Sequence, residues 1–155
     1  MTTIACDGRE IAADGLVTAD NFRRERDAKK ILVESGAVYA IAGTQCLFRP
    51  LVDWVKAGAD PDKAPKVGDL EWGLLVITRE RAVHYQSKCV FPEDVTYPFT
   101  TGSGRDIALG ALRAGKSARE AVELACEDDV WSGGKILSFN ISEALGLEPI
   151  REAAE

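Results

Sequence analysis

Several short stretches of this chain carry residue types that could act together on a carbonyl group. The first, Met1-Thr2-Thr3-Ile4-Ala5-Cys6, places a hydroxyl beside the start of the chain. With Met1 removed, Thr2 would hold both a nucleophilic Oγ and a free α-amine, whose ordinary pKa near ~8 lets it take the hydroxyl proton at neutral pH. With Met1 attached, the same nitrogen is an amide and cannot act as a base. Such a nucleophile needs a cation to keep its amine neutral, an anion to hold that cation, and a backbone N–H for the oxyanion. Ala12-Ala13-Asp14-Gly15 offers the Asp14 carboxylate, and Lys29-Lys30-Ile31 offers the Lys30 ammonium, although by spacing alone the two could equally be surface charges. Ala42-Gly43-Thr44 lies where a strand pattern gives way to a helical one. Its N–H groups could face a developing negative charge, or Gly43 could simply end the strand.

The elements that must position these groups follow from periodicity and turn chemistry. Residues 2–6 and 9–13 flank Asp7-Gly8, a two-residue hairpin signal, and predict an N-terminal β-hairpin. Leu16-Val17-Thr18-Ala19 is another short extended piece, and Asn21 to Lys29 reads as a charged connection. Strands are predicted around 30–33 and 37–42. Leu47, Leu51, Trp54 and Val55 fall at helical spacing, which predicts an amphipathic helix over 45–57 with Pro50 near its first turn. Residues 58–71, with Pro61, Pro65 and Gly68, read as an exposed connection. Strands return at 72–78 and 82–86. A third extended run covers 89–99, where Pro92 and Pro98 place it at an edge. Beyond Gly102-Ser103-Gly104 two helices are predicted, 105–114 and 117–130, the second opened by a Ser117/Glu120 capping box. Gly133-Gly134 ends it. Residues 135–141 read as a strand and 142–145 as a short terminal helical turn before a charged, frayed tail. This order is α+β and predicts two sheets covered by helices.

At 155 residues the chain is expected to form one domain, 1–155, large enough to bury a core without disulfides or metals. Its net charge of −6 argues against a nucleic-acid binder, whose affinity would come from Lys and Arg on phosphates. Cys6, Cys46, Cys89 and Cys126 form no CxxC pair and His84 is the only histidine, so neither a metal site nor a disulfide framework is indicated, and no cofactor. His84, between Val83 and Tyr85 in a predicted strand, reads as a structural or surface histidine. Asp7, Arg9 and Glu10 stand where a signal peptide would be apolar, and no apolar run approaches ~18 residues. A cytoplasmic protein without membrane contact is expected.

Taken in order, Thr2-Thr3-Ile4, Ala12-Ala13-Asp14-Gly15, Lys29-Lys30-Ile31, Ala42-Gly43, Gly102-Ser103-Gly104 and Asp129-Val130-Trp131-Ser132-Gly133-Gly134 resemble the proteasome β-subunits and their bacterial relative, the HslV peptidase. The resemblance spans about residues 2–140. It implies a four-layer αββα sandwich of the N-terminal nucleophile hydrolase type, assembled as a homo-oligomer of stacked six- or sevenfold rings. It also implies a threonine endopeptidase acting on unfolded polypeptide, with an ATP-dependent unfoldase as partner. Thr2 would be the nucleophile, Lys30 the residue lowering pKa values around it, Asp14 the carboxylate fixing Lys30, and Gly43 N–H the oxyanion donor. Ser103, Asp129 and Ser132 match the family's supporting network around the threonine amine. Alone, Ser103 and Ser132 read as a helix cap and a helix end. Val17-Thr18-Ala19 matches the segment that pairs with substrate, and Val17, Ala28 and Ile41 match specificity-pocket positions favouring an apolar residue before the cut.

The chain departs from the family in places. It is short, with a two-residue turn at Asp7-Gly8 and a loop at 58–71 where relatives have more helix. Asp129-xx-Ser132-Gly133-Gly134 is nearer the proteasome form, whereas a start without a propeptide would be nearer HslV. Two other readings stay open: a catalytically silent structural subunit of the same fold, which would retain Met1, and a small-molecule N-terminal nucleophile amidohydrolase of lower oligomeric state.

Overall fold

A computed structural model describes residues 1–147, and the tail expected beyond them lies outside the described residues. β1 (Thr3–Cys6) and β2 (Glu10–Ala13) form the N-terminal hairpin. Its turn sits one residue later than expected: Asp7 N–H donates to Glu10 O at 3.2 Å, so Gly8 and Arg9 are the central pair. Asp7 Oδ1 accepts from the N–H groups of Arg9 and Glu10, each at 2.8 Å. Gly8, at φ +93°, takes the first central position, which a type II′ turn reserves for glycine. The consequence is one of register. Cys6 pairs with Ile11 and Ile4 with Ala13, which brings Asp14 opposite Thr3 instead of Met1.

β10 (Phe99–Gly102) and β11 (Leu137–Asn140) complete a four-stranded sheet in the order β10-β1-β2-β11. A five-stranded antiparallel sheet holds β5 (Ile31–Glu34), β6 (Ala37–Gly43), β7 (Trp72–Ile77), β8 (Ala82–Gln86) and β9 (Cys89–Asp94) in chain order. β9 is an edge strand, where Pro92 leaves no ladder donor missing. The single extended run expected over 89–99 is instead two strands in different sheets, β9 and β10. The charged connection expected over 21–29 contains β4 (Phe22–Glu25), paired with β3 (Val17–Ala19). All of β4 is exposed, so no apolar alternation marks it.

A 3₁₀ turn, Gln45–Leu47, leads into α1 (Phe48–Lys56), where Pro50 falls in the first turn and interrupts no helical hydrogen bond. α2 (Arg105–Arg113) is followed by α3 (Ala118–Asp128), which is opened by the Ser117/Glu120 capping box. α3 stops short of the expected Val130 because Asp129 turns extended, at φ −79° and ψ 111°. α4 (Ile141–Ala144) is capped by Asn140.

Strand alternation distributes the core. Ile4, Cys6, Ile11 and Ala13 of the first sheet pack against Val38, Ala40, Leu75 and Ile77 of the second. Ala5 and Ala12, on the opposite face, are small enough for α2 and α3 to close over them through Ala108, Ala121 and Val122. Tyr39, Ile41, Leu74 and Val76 meet Leu51, Val52 and Trp54 of α1. Truncating a fully buried Leu51 or Leu75 to alanine would cost about 2–5 kcal/mol. Among the described residues no helix is long and apolar enough to cross a membrane.

Candidate active site

The hairpin register places Asp14 beside the start of β1. Thr3 N–H donates to Asp14 Oδ1 at 3.0 Å and Asp14 N–H to Thr3 O at 3.2 Å. Asp14 Oδ2 accepts from Gly133 N–H at 3.0 Å and Leu16 N–H at 3.3 Å. Lys30, at the entry to β5, completes the set: its Nζ lies 2.9 Å from Asp14 Oδ1 and 2.7 Å from Leu16 O, and both members of the pair have 0% side-chain exposure. Burial pushes the Lys30 ammonium below its ordinary pKa, and the adjacent Asp14 carboxylate opposes that shift. The third acceptor of Lys30 Nζ is Met1 O, at 3.2 Å. The ion pair thus ends at the Met1–Thr2 peptide bond.

A second network approaches Thr2 from the α2 and α3 side. Ser103 N–H donates to Thr2 O at 2.7 Å, and Ser103 Oγ lies 3.3 Å from the same oxygen. Asp129 Oδ2 accepts from both Ser103 Oγ and Ser132 Oγ, each at 2.5 Å. Ser132 Oγ in turn lies 2.6 Å from Thr3 Oγ1. Asp129 is able to reach both serines because it caps α3 in an extended conformation, ahead of the turn that leads to Ser132. Thr2 itself is fully buried, and its Oγ1 is a buried hydroxyl with no hydrogen-bond partner among the described residues.

Thr2 and Ser103 line a cavity of about 370 Å³ together with Gly43, Trp72, Gly73 and His84. Gly43 has φ +98°, and a Cβ there would lie 2.4 Å from Glu71 O, so backbone geometry and space both demand glycine. The structure therefore gathers Thr2, Asp14, Lys30, Ser103, Asp129 and Ser132 into one hydrogen-bonded cluster, with Gly43 across the cavity. The remaining candidates lie elsewhere. Val17 and Thr18 are half-buried on β3, Ala28 is buried, and Ile41 is fully buried beneath α1; none of them lines this cavity.

Thr3, whose hydroxyl joins the Ser132 network, and the cavity residues Trp72, Gly73 and His84 were not indicated by the sequence. Thr3 stands next to Thr2, but its partner lies 129 residues away, beyond any local pattern. Among the described residues no three His, Cys, Asp or Glu side chains gather to hold a metal ion. Burial, and then the Asp14 carboxylate, push the Cys126 thiol up to about 12, which leaves it a neutral thiol and a poor nucleophile.

No protein-family model and no curated protein sequence matches the chain. Solved structures do match. HslV from Trypanosoma brucei aligns with a TM-score of 0.68 at 19% identity, over 89% of this chain and 97% of its own. Thiobacillus denitrificans BPH in complex with epoxomicin aligns with a TM-score of 0.68 at 20% identity, over 89% of this chain and 96% of its own. A second structure of Thiobacillus denitrificans BPH aligns with a TM-score of 0.63 at 20% identity, over 89% and 95%. The likeness runs through most of the chain and gives it the α+β fold of the HslV and proteasome type.

Proposed function

We propose that this chain is a threonine-type endopeptidase subunit whose nucleophile is Thr2, set free by removal of Met1. The observation that carries the reading is the enclosed Asp14–Lys30 pair, whose ammonium reaches the Met1–Thr2 peptide beside an unpartnered Thr2 hydroxyl. A charge pair wholly out of water is costly to desolvate, and ordinary surface packing gives no reason to keep one.

From 3.2 Å at Met1 O, peptide geometry puts Lys30 Nζ no more than about 5.5 Å from Thr2 N. A positive charge at that range disfavours the protonated amine. The Met1 α-amine behaves in this direction, falling below its ordinary value through burial first and the Lys30 charge second, with Asp14 and Asp129 opposing. In the reaction, Thr2 Oγ bonds to the scissile carbonyl carbon while its proton passes to the α-amine, and the oxyanion faces Gly43 N–H. Collapse breaks the C–N bond, the amine returns the proton to the leaving nitrogen, and an ester remains on Thr2. Water attacks the ester through the same amine and frees the acid. Asp14 holds Lys30, while Ser103 holds Thr2 O and Ser132 the Thr3 hydroxyl, both serines being fixed by Asp129.

The substrate is an unfolded polypeptide, added as a strand beside Val17-Thr18-Ala19, with Val17, Ala28 and Ile41 setting an apolar preference before the cut. The domain, 1–155, is a four-layer αββα sandwich, a reading supported by its three separate apolar clusters. It assembles in the cytoplasm into stacked six- or sevenfold rings served by an ATP-dependent unfoldase. Val130, Phe91 and Phe22, which are 73%, 64% and 62% exposed in the single chain, are the kind of surface that subunit contacts would cover. A catalytically silent subunit is the second reading, since an intact Met1–Thr2 peptide is compatible with the Lys30 bond to Met1 O.

Intact mass and peptide hydrolysis decide between the two. Loss of Met1 in active protein, with activity abolished in Thr2→Ala and Lys30→Ala while the particle mass is kept, is the expected result. Full cleavage by Thr2→Ala would end the reading, and a particle no larger than a dimer would favour a small-molecule amidohydrolase.

A further inference from the structure

His84 is the only histidine, and its surroundings set it apart from a core residue. Val83 and Tyr85 pack beneath α1, so His84 between them points to the face that looks toward the first sheet. It is 8% exposed, and its Nε2 is buried without a hydrogen-bond partner among the described residues. Leaving such a nitrogen unpaired forfeits its hydration without return, so a partner is to be sought.

The ring is held in place. Phe99 tilts against it at 59° with centroids 5.2 Å apart, and Gly73 lies close by, where a Cβ would come within 2.9 Å of Nε2. The bare Cα of Gly73 therefore keeps open a place beside Nε2 that any side chain would crowd. His84 and Gly73 line the cavity of Thr2 and Gly43. A second cavity, also of about 370 Å³, shares His84, Gln86 and Thr101 with the first, so the two meet at the imidazole.

On the peptidase reading, on which this inference rests, the acyl part of the substrate lies along β3. None of Val17, Thr18, Ala28 and Ile41 lines the cavity of His84, so the polypeptide beyond the scissile bond is what enters it. We propose that His84 is a specificity-determining residue, its Nε2 hydrogen-bonding an uncharged polar side chain, hydroxyl or carboxamide, within two residues after the cut. A hydroxyl or amide both donates and accepts, and so satisfies either tautomer of the ring. Burial holds the imidazole below its ordinary pKa, against the pull of Glu93, and a neutral ring offers a charged side chain one hydrogen bond but no counter-charge for its lost hydration. The charged groups at the same cavity are already engaged, Lys88 with Glu71 at 3.0 Å and Arg105 with Gly102 O at 3.2 Å.

The test uses peptides identical up to the cut, with Ser, Asn, Ala or Val at each of the first two positions after it. Wild-type kcat/KM should favour Ser and Asn over Ala and Val by about tenfold at one of these positions, the scale of one buried hydrogen bond. That ratio should fall toward one in His84→Phe and recover in part in His84→Gln. A ring that only supports the fold would lower all rates together and leave the ratio intact, which would overturn the proposal. Equal wild-type rates for all peptides would overturn it while sparing the peptidase reading, whereas no wild-type cleavage would overturn both. A measurement independent of His84 variants uses its uniqueness: in ¹⁵N-histidine-labelled Thr2→Ala protein, leaving-side peptides beginning with Ser should shift the Nε2 resonance. Absence of a shift would also overturn the proposal.

Discussion

Asp14 Oδ1 lies 2.9 Å from Lys30 Nζ, with both side chains wholly enclosed and the ammonium also bound to Met1 O. Removing one partner strands the other charge away from water. Lys30→Met should therefore lower unfolding stability by about 3–5 kcal/mol in denaturant titration, more than any substitution among the exposed ion pairs such as Arg81–Asp94. A loss below that of the surface pairs would contradict the enclosure.

The same pair sets a pH dependence. Lys30 is held below its ordinary 10.5 by burial, and Asp14 raises it against that effect. The ammonium's contribution to activity is lost as pH rises through the folded value, which lies below 10.5, whereas the acid limb belongs to protonation of the Thr2 α-amine. Asp14→Asn removes the raising influence, so the alkaline limb of kcat/KM should move to lower pH. Stability runs in the opposite sense. Between the folded value and 10.5 the unfolded chain holds a proton that the native state has released, so this group's contribution grows with pH across that window and is lost as pH falls. An alkaline limb that stays put or moves upward in Asp14→Asn would contradict the assignment.

Gly43→Ala places a methyl group 2.4 Å from Glu71 O and 3.0 Å from Trp72 Cα, both backbone atoms, at φ +98°. The loop must shift. We expect kcat to fall by about 10²-fold or more, as when an oxyanion donor is displaced, with roughly 1–3 kcal/mol of lost stability. Steady-state kinetics and thermal melts on the assembled particle check both.

Asp129 Oδ2 is the shared acceptor of Ser103 and Ser132. Asp129→Ala should release both hydroxyls at once and cost about 1–3 kcal/mol of stability. Because the two serines act through one atom, Ser103→Ala and Ser132→Ala should each cost less than Asp129→Ala and be non-additive in a double-mutant cycle on kcat/KM.

Much of this site was legible because its members stand at punctuation: Asp14 before Gly15, Gly43 between strand and helix, Ser132 before Gly133-Gly134. The capping box at Ser117 was equally plain, since its two residues make their own local hydrogen bonds. What the sequence hid is what depends on distant or solvent-facing groups. Phe22–Glu25 is a strand with every side chain exposed, so composition made it look like a connection. The hairpin register turns on Asp7 Oδ1 accepting from both Arg9 and Glu10, a choice Asp7-Gly8 does not advertise. Trp72, Gly73 and His84 read as ordinary strand residues, and only the stacking of the two sheets brings them to Thr2.

The central claim is that Thr2 carries the reaction from a free N-terminus, and it is tested most directly by treating active protein with epoxomicin and mapping the adduct by peptide mass spectrometry. The expected result is a single adduct on an N-terminal peptide beginning at Thr2, absent from Thr2→Ala. Peptide cleavage by protein that keeps Met1 and takes no adduct at Thr2 would contradict it.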